Sequence, residues 1–136
     1  MNLRTKYQSN FIVMPEHCNF RMPQIFGGAF MAKLDLCAAA ACSELLQFSE
    51  SSCDNAVTYK VLEITFHKAA QMGDQIFFEA EIIELRNNSI TVQVEAYRQP
   101  RDQKFPERIH TASAKFVFVT LQGDKYTPHG LKLTSS

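Results

Sequence analysis

The chain changes hydrophobic period once, and the change divides it into two kinds of structure. From Phe26 to about Phe48 the sequence is rich in Ala, Leu, Met and Lys, has no internal Pro and starts at the pair Gly27-Gly28. Those are the marks of one long helix. Downstream the period drops to two: Ile90, Val92, Val94 and Ala96 alternate with Ser89, Thr91, Gln93 and Glu95, the pattern of a half-buried strand. Val57 to Phe66, Gln75 to Leu85 and Ala112 to Leu121 share its enrichment in β-branched and aromatic residues, and Gly73-Asp74 and Asn87-Asn88 supply turns between them. A shorter strand near Phe11 to Met14 precedes the helix. Gln99 to Pro106 reads as a polar loop and Gly123 to Ser136 as a poorly patterned tail. The prediction is an α+β fold made of a strand, a loop, a long helix and then four antiparallel strands.

One helix covers only one face of a sheet with strands of nine to eleven residues, counted roughly from the alternation. Either the sheet wraps around the helix with its outer face wet, or a second copy of the chain covers what is left exposed. No internal repeat or composition break marks a linker, so residues 1–136 are read as one domain with a core of about 8–121 and a tail of 122–136.

Charge and composition exclude several functions. Fourteen basic residues balance fourteen acidic ones, which leaves no electrostatic footprint for nucleic acid or an anionic membrane. Lys33, Asp35 and Glu44 interrupt the apolar stretches well short of the roughly 18 residues a membrane-crossing helix needs. No apolar export signal precedes Pro15, so a cytoplasmic location is expected. Cys18, Cys37, Cys42 and Cys53 lack metal-ligand spacing, as do His17, His67, His110 and His129. The cysteines are expected to be free buried thiols, with no metal bound.

Asp35 is the position that asks for chemistry. At about 100° per residue it lies within about 40° of Gly28, Met31, Ala39 and Cys42, all small or apolar, while Lys33 and Glu44 fall on the opposite side. An Asp in mid-helix is a poor helix former. It is a solvent-facing accident, a structural hydrogen-bonding group, or a site residue suited to general-base or nucleophilic work. Gly27 and Gly28 offer a complement, because free amides and the dipole at a helix start favour negative charge and a missing Cβ admits a ligand oxygen. Seven residues separate Gly28 from Asp35, about 10 Å along the axis, too far for both to serve one carbonyl group. Two copies related by a two-fold axis would bring the Asp35 of one to the Gly28 of the other, giving two sites per dimer.

The combination resembles the hotdog-fold acyl-CoA thioesterases. It is carried by Pro15-Glu16-His17-Cys18-Asn19, then Phe26-Gly27-Gly28, then Asp35 with Ala38-Ala39-Ala40. Val57-Thr58, Phe66-His67-Lys68, Gly73-Asp74 and Val117-Phe118-Val119 resemble the strands and hairpin of the bacterial YciA-like and mammalian cytosolic acyl-CoA hydrolases. The likeness runs from about Phe11 to Leu121. It implies a five-stranded antiparallel sheet wrapped around a central helix, dimers that assemble further into tetramers or hexamers, and hydrolysis of an acyl-CoA, with coenzyme A entering only as part of the substrate. By position it makes Asp35 the catalytic acid, Gly28 the amide donor to the thioester carbonyl and Asn19 a loop residue of the composite site.

This chain departs from the family pattern at several points. Arg21, Met22 and Pro23 replace small residues and add about one position before the Gly pair, so Gln24 competes with Asn19 for the loop role. Lys68-Ala69 stands where Lys-Pro is common, and Arg86-Asn87-Asn88-Ser89 where a Gly-containing run is usual. On the resemblance, Phe26, Gly27, Lys68, Arg86, Asn87 and Ser89 are the candidate substrate contacts. The competing expectation is a hotdog module that binds an acyl thioester without turning it over.

Overall fold

The computed structural model describes residues 2–133. Its elements are strand β1 (Lys6–Ile12), a 3-10 turn (Pro15–His17), helix α1 (Gly27–Gln47), and strands β2 (Asn55–Phe66), β3 (Gln75–Arg86), β4 (Ser89–Gln99), β5 (Ile109–Gln122) and β6 (Lys125–Tyr126). The helix lies within a residue of its expected ends. The first strand starts earlier than the pattern suggests, because Lys6–Asn10 alternates exposed and half-buried positions without being strongly apolar.

All strands pair antiparallel in one sheet with the order β1-β3-β4-β5-β2, and β6 pairs with β5 alone. Six strands are found where five were expected. The sixth is a two-residue strand, Leu121 opposite Tyr126 and Gln122 opposite Lys125, set in what the sequence presents as a tail. A turn of two polar residues, Gly123-Asp124, links it to β5, and Gly123 takes a φ of 63°, which favours glycine.

Alternation decides which side chains meet the helix. Ile76, Phe78, Ala80 and Ile82 of β3, Ile90, Val92, Val94 and Ala96 of β4, and Ala112, Ala114, Phe116 and Phe118 of β5 are all buried. They pack with Phe30, Leu34, Cys37, Ala38, Ala41, Leu45 and Leu46 of α1 in one cluster. Full burial of each larger side chain contributes about 1.5–3 kcal/mol. All four cysteines are free. Burial pushes the Cys37 and Cys42 thiols up, and the charge on Asp35 adds to the effect at Cys42.

The edge strand β2 is different from its neighbours. Only Ala56 and Ile64 are half-buried along it, and Tyr59 is 71% exposed. Val57, Val61, Leu62 and Phe66 are likewise exposed, as are Met31 and Leu36 on the helix, Leu36 at 64%. Two register shifts, between Thr58 and Lys60 and between Val61 and Glu63, interrupt its pairing with β5.

Candidate active site

Asp35 lies midway along α1 and is half-buried. Thr58 Oγ1 donates to its Oδ1 at 2.8 Å. The contact joins the middle of the helix to the start of the exposed edge strand. The carboxylate is neither loose in solvent nor sealed in the core. One oxygen is held and the group stays at the margin of the apolar face, next to exposed Met31 and Leu36. Lys33 and Glu44 are less wet than the helical wheel implies. Lys33 sits 5.1 Å over the Phe11 ring, and Glu44 pairs with Arg4 at 3.0 Å.

The start of the helix carries the other half. Phe26 is the N-cap residue, and no side chain caps the helix. The first helical hydrogen bond runs from the Phe30 amide to the Phe26 carbonyl at 3.1 Å, so the amides of Gly27, Gly28 and Ala29 precede the ladder. Gly27 and Gly28 are exposed, and so is Phe26. A Cβ on Gly28 would stand 3.3 Å from the Phe26 ring, and one on Gly27 would stand 3.7 Å from the Phe66 ring.

The loop before the helix is ordered by backbone bonds. Cys18 bridges Ile25, the Asn19 amide donates to the Gln24 carbonyl at 3.0 Å, and the Phe26 amide donates to the His17 carbonyl at 3.0 Å. Gln24 bridges Gln71, and the Met72 amide donates to the Pro23 carbonyl at 2.7 Å. Asn19 is exposed and Gln24 half-buried. Both candidates therefore sit in one small hairpin that leads into the helix start.

The remaining candidates divide between the two ends of the sheet. Lys68 is exposed just beyond β2, with its amide bonded to the Thr111 carbonyl at 3.2 Å. That is the end where Phe66 pairs with Ala112 and lies against Gly27. Arg86, Asn87 and Ser89 form the β3–β4 turn at the other end. There Leu85, Ile90, Phe118 and Thr58 stand in one transverse row. Arg86 is exposed and paired with Glu84, Nε to Oε1 at 3.0 Å. Within one chain the Gly pair, the Asn19–Gln24 hairpin and Lys68 thus gather at one end, and Asp35, Thr58 and the 86–89 turn at the other.

Thr58 is the partner of Asp35 that sequence reasoning missed. The signal was present, since alternation along β2 puts Ala56 and Thr58 on the helix side and Thr58 is the polar residue there. Outside this region, His67 Nε2 and His110 Nε2 meet Ser113 Oγ at 3.1 and 3.2 Å, and Ser113 donates to Glu95 at 3.0 Å. Among the described residues, no three or more His, Cys, Asp or Glu side chains gather as a metal-binding set. No helix among them is long and apolar enough to cross a membrane.

The profile of the Thioesterase superfamily matches residues 22–104. An uncharacterized acyl-CoA thioester hydrolase of Zymomonas mobilis is 30% identical over 114 residues, which is 84% of this chain and 70% of the relative. Among solved structures, a hexameric hotdog fold thioesterase of Campylobacter jejuni superposes with a TM-score of 0.77 at 26% identity, covering 90% of this chain and 88% of its own. An acyl-CoA hydrolase of Staphylococcus aureus in complex with coenzyme A gives 0.79 at 21% identity, over 98% of this chain and 75% of its own, a likeness of fold. That enzyme was solved as single alanine mutants of an asparagine, an aspartate and a threonine.

Proposed function

The chain belongs to the thioesterase superfamily, and from that premise we propose that it hydrolyses acyl-CoA thioesters at sites shared between two copies of itself. The observation that carries the reading is the half-buried mid-helix carboxylate of Asp35, held through one oxygen by Thr58. An asparagine, an aspartate and a threonine are the residues mutated in the S. aureus enzyme, and Asn19, Asp35 and Thr58 supply the same three residue types here.

The split of the candidates between two ends explains why one copy is insufficient. Gly28 and Asp35 are seven residues apart, about 10 Å along the helix, whereas a donor and a base acting on one carbonyl must both lie about 3 Å from the reacting group. A two-fold axis beside β2 and the exposed helix face places the glycine end of one copy against the Asp35–Thr58 end of the other. The same pairing covers Val61, Phe66 and Met31, which lie exposed on the helix side of β2 and on the helix face beside Asp35. Each dimer then has two identical sites.

Bound there, the thioester carbonyl oxygen accepts from the Gly28 amide of one copy, where the helix dipole favours developing negative charge. Asp35 of the other copy acts in one of two ways. As a general base it takes a proton from water, and the resulting hydroxide attacks the carbonyl carbon. As a nucleophile its carboxylate attacks that carbon, and water opens the mixed anhydride. In both, the carbon–sulfur bond breaks, coenzyme A leaves as thiolate and the free acid is released. Thr58 fixes the carboxylate in either role. Asn19 or Gln24 lines the site from the glycine side with Phe26, Gly27 and Lys68, and Arg86, Asn87 and Ser89 meet the coenzyme portion. No separate cofactor takes part.

The test is release of free thiol from a panel of acyl-CoAs by wild type and Asp35→Ala. Turnover by wild type and a loss of about 10²- to 10⁴-fold in kcat for the variant, with the oligomer intact, is the expected result. Equal turnover by the two proteins refutes the role given to Asp35.

A further inference from the structure

The segment after β5 forms a strap, and its anchor is a histidine the reaction does not use. His129 is 3% exposed. Its backbone amide donates to the Asn87 carbonyl at 3.1 Å, and its Nε2 lies 3.1 Å from the Ser89 carbonyl. Its Nδ1 accepts the Leu131 amide at 2.9 Å. A carbonyl on one ring nitrogen and an amide on the other fix the neutral tautomer with the proton on Nε2. The imidazole therefore joins residues 89 and 131 with both ring nitrogens engaged, while the His129 backbone amide holds residue 87.

The rest of the strap reinforces this anchor. Thr120 Oγ1 donates to the Thr127 carbonyl at 2.6 Å, and the Thr127 amide donates to the Thr120 carbonyl at 3.0 Å. The Thr120 amide donates to the Asn88 carbonyl at 2.9 Å. Cys53 Sγ donates to the Thr127 carbonyl at 3.3 Å, and Leu131 packs against the core. Gly130, at a φ of 72°, turns the chain so that Leu131 can reach back to His129. All three carbonyls from Asn87 to Ser89 are thus taken by the strap or by β5, which leaves the side chains of Asn87 and Ser89 unengaged by it.

We infer that His129 is a positioning residue for the coenzyme half of the substrate. Through the strap it holds the Asn87–Ser89 turn in the one backbone geometry that presents those two side chains to coenzyme A. The inference rests on the reading above, in which this turn meets the coenzyme. A hairpin tip whose backbone bonds face only solvent opens more readily than one held by buried partners, and ordering it on binding would weaken affinity without changing the chemical step. The role therefore belongs to KM rather than kcat.

The experiment compares an acyl-CoA with the same acyl group on N-acetylcysteamine, which lacks the nucleotide and most of the pantetheine. For His129→Ala, KM for the acyl-CoA rises about five- to tenfold, kcat stays within about twofold, and KM for the short thioester is unchanged. His129→Gln, whose amide can still donate to the Ser89 carbonyl, restores most of the wild-type KM. Asn87→Ala leaves the backbone anchor in place and raises KM for the acyl-CoA alone, so the question stays open to test even if His129→Ala fails to fold. Parallel changes in KM for both thioesters, or no change in His129→Ala and Asn87→Ala, overturn the inference while wild-type turnover leaves the proposed function standing. A wild type with no acyl-CoA turnover overturns both.

Discussion

Thr58 Oγ1 donates a 2.8 Å hydrogen bond to Asp35 Oδ1 and so fixes the only helix carboxylate on the face turned toward β2. A carboxylate has two oxygens, and this bond takes one while leaving the other directed away from Thr58. An aspartate otherwise rotates about two torsions in mid-helix, and productive attack needs one orientation.

Removing that bond should harm turnover more than binding. Thr58→Ala is expected to lower kcat about ten- to hundredfold with little change in KM, and Thr58→Ser to retain most activity because its hydroxyl still reaches the carboxylate. Steady-state thiol release decides the matter. Equal losses in the Ala and Ser variants would mean that the methyl group, rather than the hydroxyl, is what matters at this position.

Most of the fold was legible because it rests on periodicity. Ile90 to Ala96 must face one way and Ser89 to Glu95 the other, and the helix between Gly27 and Gln47 has no competing period. The end of the chain was not legible, because the order of residues 123–133 comes from long-range partners, Asn87, Ser89, Cys53 and Thr120, which no local pattern displays. The candidate site was half legible. Asp35 and Gly28 stand out as misfits in a helix, a charge and a flexible residue where neither is favoured. Thr58 is an ordinary strand residue, and only its register against α1 gives it a role. Gly73-Asp74 reads as turn chemistry, which hides that Asp74 is a buried ion-pair partner.

A site shared between copies makes an arithmetic prediction. Asp35→Ala and Gly28→Val should each be inactive as homodimers, the first lacking the base and the second blocked by a side chain over the helix amides. Co-expressed in equal amounts, half of the dimers are mixed, and each mixed dimer contains one site with both residues intact. Activity should return to about a quarter of wild type on that binomial count. If Asp35 and Gly28 of the same chain served one site, every mixed dimer would remain dead, and recovery would be absent.

The exposed helix face gives a test of assembly independent of catalysis. Met31, one turn before Asp35 on the same helix face, is 43% exposed in a single copy, so Met31→Glu should change the stability of an isolated chain by no more than about 0.5 kcal/mol. In a dimer that covers this face the same glutamate is a buried, unpaired charge. The expected outcome is a folded monomer by light scattering with no thioesterase turnover. A variant that stays dimeric and active would place the interface elsewhere.

The Arg98–Asp74 pair joins the turn before β3 to β4, and its removal should cost stability more than any surface change. Arg98 reaches Asp74 Oδ2 at 2.9 Å, with the Asp74 side chain only 6% exposed. The same oxygen accepts the Gln71 amide at 2.9 Å, and Gln71 in turn bridges Gln24 of the loop that leads into the helix. Arg98 Nε already lacks a partner, so the guanidinium depends on this carboxylate. Asp74→Ala strands a half-buried cation and an amide, and about 3 kcal/mol is expected to be lost. Because the loop carrying Asn19 and Gln24 hangs on Gln71, KM should rise in the same variant under conditions where it remains folded. Denaturant unfolding read beside steady-state kinetics separates the two effects, and an unchanged midpoint would show that Arg98 finds compensation in solvent.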